Sequence, residues 1–175
     1  MAASLEGGWP GILGGCALIL VTVGTQLAFD RLVKAVDAWV GCNSGERAFA
    51  QIGPAEFTPA HMESRDFVPP DQADALFREA DLIVSHAGMG SILTALKYRK
   101  PILIMPRKAG LGEHRNDHQM ATAKWLGCKP GVTVAWEVED IARLLDDRAN
   151  IKVGEGISAF ASPELIASLK HFINS

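Results

Sequence analysis

The sequence predicts an α/β protein, a Rossmann-like open parallel sheet with helices on both faces. Three observations carry that expectation. Short apolar runs alternate with amphipathic stretches along the chain, the pattern of strands joined by helical crossovers. The runs are continuous in Leu, Ile and Val, as strands covered on both faces require. A chain of 175 residues suffices for one such domain with a sizeable core and is too short for two full Rossmann halves.

The elements follow in order. Residues 17–23 read as a first, fully buried strand ended by Gly24-Thr25. A helix is expected over 29–40, with Leu32, Val33, Val36, Trp39 and Val40 on one face. Residues 47–52 form a second strand, and 65–68 a short third one that Pro69-Pro70 must end. A helix over 71–80 opens with Asp71 as its cap. Residues 81–85 are a fourth strand, followed by a helix over 91–98. The fifth strand, 101–105, stops at Pro106, and a longer helix over 113–126 ends at Gly127. A sixth strand at 131–135 precedes helices at 138–145 and 163–172. Residues 1–15 read as an irregular N-terminal segment ahead of a single domain over 16–175.

Composition narrows the function classes. Net charge is -3, with 21% charged residues, so a general attraction to nucleic acid or anionic lipid is not indicated. The apolar stretch at 10–23 is shorter than the ~20 residues of a spanning helix. The residues before it carry only Glu6, where a signal peptide has a basic start. Cys16, Cys42 and Cys128 are odd in number and far apart, as suits reduced cytosolic thiols.

Open sheets of this kind take ligands outside the carboxyl ends of their strands. Three strand ends carry unusual residues: Gly24-Thr25, residues 85–91, and residues 106–119. Between Ser85 and Ser91 the chain leaves a buried strand and enters a helix, whose first turn has unpaired N–H groups and a positive dipole end. Gly88 and Gly90 place no side chain in the way of an anion, Ser85, His86 and Ser91 add side-chain donors, and no carboxylate intervenes. The same glycines also suit a tight strand–helix turn that needs them for geometry alone. A dinucleotide fingerprint fits poorly, because Leu93 stands where its third glycine belongs. A Walker loop and a G-x-S-x-G elbow are absent.

From Glu113 to Gln119 seven consecutive side chains are polar, and closely spaced Asn116, Asp117, His118 and Gln119 suit the donor–acceptor hydroxyls of a sugar. A solvated first helical turn is the plainer alternative. Metal binding is another, since His114 and His118 would sit four apart on one helical face, though no third ligand is evident. Arg107, Lys108 and Arg115 lie nearby and could pair with a uronate carboxylate, or could be solvated surface charges. His61, His171 and the four tryptophans read as ordinary packing or surface residues.

Taken in order, these segments resemble the C-terminal domain of glycosyltransferase family twenty-eight, of the GT-B architecture, over about residues 20–145. Ser85-His86-Ala87-Gly88-Met89-Gly90-Ser91, then Lys100-Pro101, then Glu113-His114-Arg115 through His118-Gln119 carry the resemblance. Val21-Thr22-Val23-Gly24-Thr25 with Phe29-Asp30-Arg31-Leu32 is similar to the small donor subunits of two-component bacterial exopolysaccharide transferases. The donor subunit of the dolichol-linked N-acetylglucosaminyltransferase is similar in size and motif.

The resemblance implies a nucleotide-sugar-binding domain, the single C-terminal half of a GT-B enzyme, inverting, with a UDP-sugar as donor substrate and no cofactor or metal. It implies that His86, Gly88, Gly90 and Ser91 hold the diphosphate, His86 stabilising the leaving group. Gly24 and Thr25 would border phosphate and sugar, Phe67 and Val68 the uracil edge, and Asn116, Asp117, His118 and Gln119 the sugar hydroxyls. Related enzymes place a ribose-binding glutamate where Thr94 stands, a departure that leaves Glu113 as the carboxylate at hand. The catalytic base would come from a membrane-anchored partner supplying the N-terminal half. The acceptor would be a lipid-diphosphate-linked glycan, the donor UDP-glucuronate ahead of UDP-N-acetylglucosamine or UDP-glucose. The location would be the cytoplasm, at the inner face of the membrane. Two other classes stay open: a non-catalytic nucleotide-sugar-binding module, prompted by Thr94, and a metal-dependent sugar hydrolase, prompted by His114 and His118.

Overall fold

The computed structural model describes residues 17–154. The irregular segment expected over 1–15 and the helix expected over 163–172 lie outside the described residues. Six strands form one parallel sheet in the order β3-β2-β1-β4-β5-β6. They are β1 (Leu18–Thr22), β2 (Arg47–Gln51), β3 (Glu63–Arg65), β4 (Leu82–His86), β5 (Ile102–Met105) and β6 (Val132–Val134). Helices α1 (Asp30–Cys42), α2 (Pro70–Glu79), α3 (Met89–Lys97), α4 (His118–Leu126) and α5 (Val138–Asp146) make the crossovers.

Alternate side chains of the continuous apolar runs feed two cores, one per face. Ile19, Val21, Leu82, Val84, Leu103 and Met105 join the α1 and α5 residues Leu32, Val33, Val36, Ile141 and Leu145. Leu18, Leu20, Ile83, Ile102 and Ile104 join Leu76, Ile92, Ala95, Ala123 and Leu126 from α2, α3 and α4. Each fully buried aliphatic side chain contributes roughly 1.5–3 kcal/mol by leaving water. The helices are therefore held on both faces.

The crossovers from β1 run outward to β2 and β3, and the chain then returns to place β4 on the other side of β1. The carboxyl ends of β1 and β4 thus flank the reversal of strand order, where the two connecting loops part to opposite faces and leave a crevice. At the opposite end of the pair, Leu18 N–H donates to the Asp81 carboxylate at 2.8 Å, and Asp81 N–H to the Leu18 carbonyl at 2.9 Å. The amino ends are pinned and the carboxyl ends diverge.

Element ends shift by one or two residues in several places, α3 starting at Met89 and not 91, and three of the differences have a clear physical reason. The third strand is Glu63–Arg65, ahead of the apolar pair Phe67-Val68. It is an edge strand whose residues are exposed or half-buried, so it lacks an apolar signal, while Val68 turns inward to the core at 3% exposure. The next helix begins at Pro70, with the fixed proline φ starting it and Asp71 in the first turn making no side-chain cap. The helix expected from residue 113 begins at His118. Gly112 takes a left-handed φ of 72°, and the following polar side chains bond to other segments or to one another, which holds 113–117 out of the helix.

Candidate functional site

The strand end of β4 builds the site. Ser85 is fully buried, and its hydroxyl donates to the Thr22 carbonyl of β1 at 3.0 Å. His86 follows, with its Nδ1 3.5 Å from that same carbonyl and 3.4 Å from Ser85 Oγ. The chain then turns at Gly88 into α3. Its first intrahelical bond runs from Ile92 N–H to the Gly88 carbonyl at 3.2 Å, so the amides of Met89, Gly90 and Ser91 precede the helix ladder.

Neither glycine of this turn is required by its dihedrals. Gly88 has φ -92°, open to any residue, but a Cβ there would stand 2.2 Å from His86 Nε2. A Cβ at Gly90 would meet nothing within 4 Å. Gly24, by contrast, has φ 78°, and a Cβ on it would stand 3.2 Å from the His86 ring. The imidazole therefore lies between two residues that lack side chains.

An open cleft of roughly 200 Å³ lies at this point. Its walls are the β1–α1 loop from Val23 to Leu27, His86, Arg107, His114 and Gln119. Burial, then the Arg107 guanidinium, then His114 push the His86 pKa down to about 4, against the Thr22 carbonyl that favours the cation. The imidazole is neutral at physiological pH.

Arg107 is only 2% exposed. Its guanidinium donates to the Val23 carbonyl at 2.8 Å and the Leu27 carbonyl at 2.7 Å, and to the Glu113 carbonyl at 3.3 Å. It also lies 5.0 Å from the Phe29 ring centre. Burial lowers its pKa, opposed by Glu113. The Glu113 carboxylate grips Arg31 through two bonds of 2.6 and 2.8 Å and accepts Lys108 N–H at 2.9 Å. Gln119 accepts Arg107 N–H through Oε1 at 3.2 Å, leaving its amide N–H groups without that partner.

Residues 18–146 match the family described as Glycosyltransferase family 28 C-terminal domain. The chain belongs to that family. It is 31% identical over 118 residues to the human UDP-N-acetylglucosamine transferase subunit ALG13, a match covering 62% of this chain and 10% of that protein. It is 33% identical over 109 residues to the oleandomycin glycosyltransferase of Streptomyces antibioticus, covering 58% of this chain and 25% of that one. Among solved structures, the kitacinnamycin glycotransferase superposes with a TM-score of 0.63 at 19% identity, over 86% of this chain and 39% of its own. The domain spans well under half the length of each. Its fold is the Rossmann-like half of a GT-B glycosyltransferase.

In this family 28 domain the cleft brings together Gly24, Thr25, His86, Arg107 and Gln119 of the residues singled out by sequence. Gly88, Gly90, Ser91 and Thr94 lie on the adjoining helix start, where the Thr94 hydroxyl donates back to the Gly90 carbonyl at 2.8 Å. Phe67, two residues past the end of the edge strand β3, is 57% exposed and does not line the cleft.

The polar segment behaves differently from expectation. Asn116 Oδ1 accepts His118 N–H at 3.3 Å and Asp117 Oδ1 accepts Ala109 N–H at 3.0 Å, so both shape the loop, and neither they nor His118 line the cleft. Glu113, bound to Arg31, is not a free carboxylate for a ribose. Arg107 is a buried clamp on the backbone, and Lys108 pairs with Glu137 at 2.6 Å, so neither is a cation waiting for a uronate. His114 precedes α4, which removes the shared helical face with His118. Among the described residues no three His, Cys, Asp or Glu side chains gather as a metal site. Sequence reasoning did not assign Gln26, Leu27 and His114 to the cleft. Adjacency to Gly24-Thr25 could have found the first two, whereas His114 depends on the fold of its loop.

Proposed function

We propose that the domain is the donor-binding half of an inverting glycosyltransferase and takes a UDP-sugar at the reversal point between β1 and β4. One observation carries this reading: a neutral histidine lines a cleft walled by Gly24 and Thr25, and the chain turns from it directly into a helix start with free amides and a glycine with open space beside it. In this reading the diphosphate lies against the amides of Met89, Gly90 and Ser91 beside His86. The uracil runs toward Phe67 and Val68, with Thr94 beneath the ribose. Gln119 donates its amide to the sugar, and Asn116, Asp117 and His118 stand at the rim. As an acceptor oxygen attacks the anomeric carbon, charge grows on the departing β-phosphate, and donors already fixed in place stabilise it.

The acceptor, a lipid-diphosphate-linked glycan of exopolysaccharide synthesis, and its base belong in this proposal to a membrane-anchored partner that draws the domain to the inner face of the membrane. The word "subunit" in the human relative's name supports a partner. Among the described residues no helix is long and apolar enough to cross a membrane. For the donor sugar, Arg115 is the remaining exposed cation of its group and supports glucuronate. The donor in the human relative's name favours UDP-N-acetylglucosamine as a second reading.

Calorimetric titration tests the site. UDP and the UDP-sugars bind, and His86→Ala weakens them at least tenfold, as loss of a hydrogen bond to a charged group of about 1.5–3 kcal/mol requires. An unchanged affinity in that variant removes the diphosphate from this turn. UDP-glucuronate and UDP-N-acetylglucosamine, compared in the presence of the partner, decide the donor.

A further inference from the structure

We propose that a UDP-sugar enters this site together with a proton, which is taken up on Nε2 of His86. The inference rests on the diphosphate reading of the cleft. Its physical basis is the tautomer that the strand ends impose on the ring. The Thr22 carbonyl can only accept a hydrogen bond. Ser85 Oγ has already given its own hydrogen to that carbonyl, so toward the ring it too can only accept. Both neighbours of Nδ1, at 3.4 and 3.5 Å, are acceptors toward the ring and so favour a proton on Nδ1. In the neutral ring the second nitrogen then carries a bare lone pair. Nε2 has no hydrogen-bond partner among the described residues, and it sits between the two glycines at 24 and 88.

A bare lone pair repels a phosphate oxygen. The charged groups facing the ring explain why it stays bare in the free protein. Arg107 from the β5–α4 connection and His114 from the same connection oppose a cation, and the start of α3 adds its positive dipole end. β1 and β4 contribute only the Thr22 carbonyl and the Ser85 hydroxyl. Among the described residues no carboxylate acts on the ring, and the nearest in sequence to this wall, Glu113, is bound to Arg31 and Lys108 N–H. A diphosphate changes that balance: two negative charges brought against the ring favour the imidazolium. The proton comes from solvent, an N–H bond forms at Nε2, and no electrons change hands. Nε2–H then donates to a phosphate oxygen, and the cation stands beside the β-phosphate when its charge grows.

The test is titration calorimetry of the protein with UDP-N-acetylglucosamine and UDP-glucuronate in buffers of different ionisation heat, from about pH 6 to 8. UDP-sugars are used because the terminal phosphate of free UDP itself titrates near pH ~6. The expected result is uptake of up to one proton per ligand, with affinity falling up to about tenfold per pH unit between the free-ring pKa of about 4 and the pKa of the complex, and levelling off above it. His86→Gln, an amide that cannot titrate, abolishes both the uptake and the pH slope. A ¹⁵N spectrum of the imidazole shows Nε2 passing from unprotonated to protonated on saturation. If UDP-sugar binds with no proton uptake, or if His86→Gln takes up the same proton, the inference is overturned while the diphosphate reading stands. If no UDP-sugar binds, that reading falls, and this one with it.

Discussion

The turn after β4 and the connection between β5 and α4 both look, by composition, like ligand sites, yet the fold uses them in opposite ways. In the first, groups are left unmatched: three helix-start amides precede the helix ladder, and His86 Nε2, on the cleft wall, has no partner among the described residues. In the second, polar side chains mostly satisfy one another. Glu113 closes on Arg31, Lys108 on Glu137, Asp117 on Ala109 N–H and Arg107 on two carbonyls of the β1–α1 loop. Gln119 and His114 still line the cleft, one side of the Gln119 amide being fixed by Arg107, and Arg107 keeps a buried Nε without a partner. Polarity along a chain marks where chemistry is possible. Only the residual, unmatched groups mark where a ligand is met.

The largest effect that would break this contrast is at Arg107. Arg107→Met leaves the Val23 and Leu27 carbonyls without their donor beside a buried surface, and should cost about 3–5 kcal/mol in urea unfolding. A loss below ~1 kcal/mol would mean that the guanidinium is not a clamp and is available to a ligand. The second test concerns the other region and uses pH. The His86 pKa is about 4 when folded and about 6.5 in the unfolded chain, so below pH 6.5 the unfolded state binds the proton first. Wild-type stability therefore falls as pH drops from about 6.5 to about 4, by on the order of 3 kcal/mol at the lower end. His86→Gln lacks this share, so the gap between the two proteins should stay constant above pH 7 and shift in the variant's favour on acidification. A gap that is flat with pH would show the ring to be solvated. The smallest effect is at Lys108: its pair with Glu137 is partly exposed, and Lys108→Ala should change stability by no more than about 0.5 kcal/mol and leave UDP-sugar binding unchanged.

The buried strands β1, β4 and β5 were legible because short apolar runs rich in Leu, Ile and Val, bounded by turn residues, suit a strand covered on both faces, while β2 offers only Ala48-Phe49-Ala50 between Arg47 and Gln51. The turn at Ser85–Ser91 was legible because its glycines and missing carboxylates follow directly from local chemistry. β3 was not, since Glu63, Ser64 and Arg65 join the sheet through backbone pairing with β2 at an exposed edge and carry no apolar pattern. Nor was the late start of α4, which depends on Glu113 finding Arg31 from a helix 82 residues away in sequence. Arg107 shows the limit most clearly. A cation beside lysine and glycine reads as surface, and only the packing of the β1–α1 loop over it makes it one of the most buried side chains of the domain.

The absence of room at Gly88 has a consequence for how such domains can vary. Because a single methyl group there would overlap the imidazole nitrogen, positions 86 and 88 cannot drift separately. A descendant that acquired alanine at 88 would have to swing the ring off the Thr22 carbonyl, or exchange the histidine, in the same evolutionary step. A variant that keeps the histidine without the glycine holds that ring in another place.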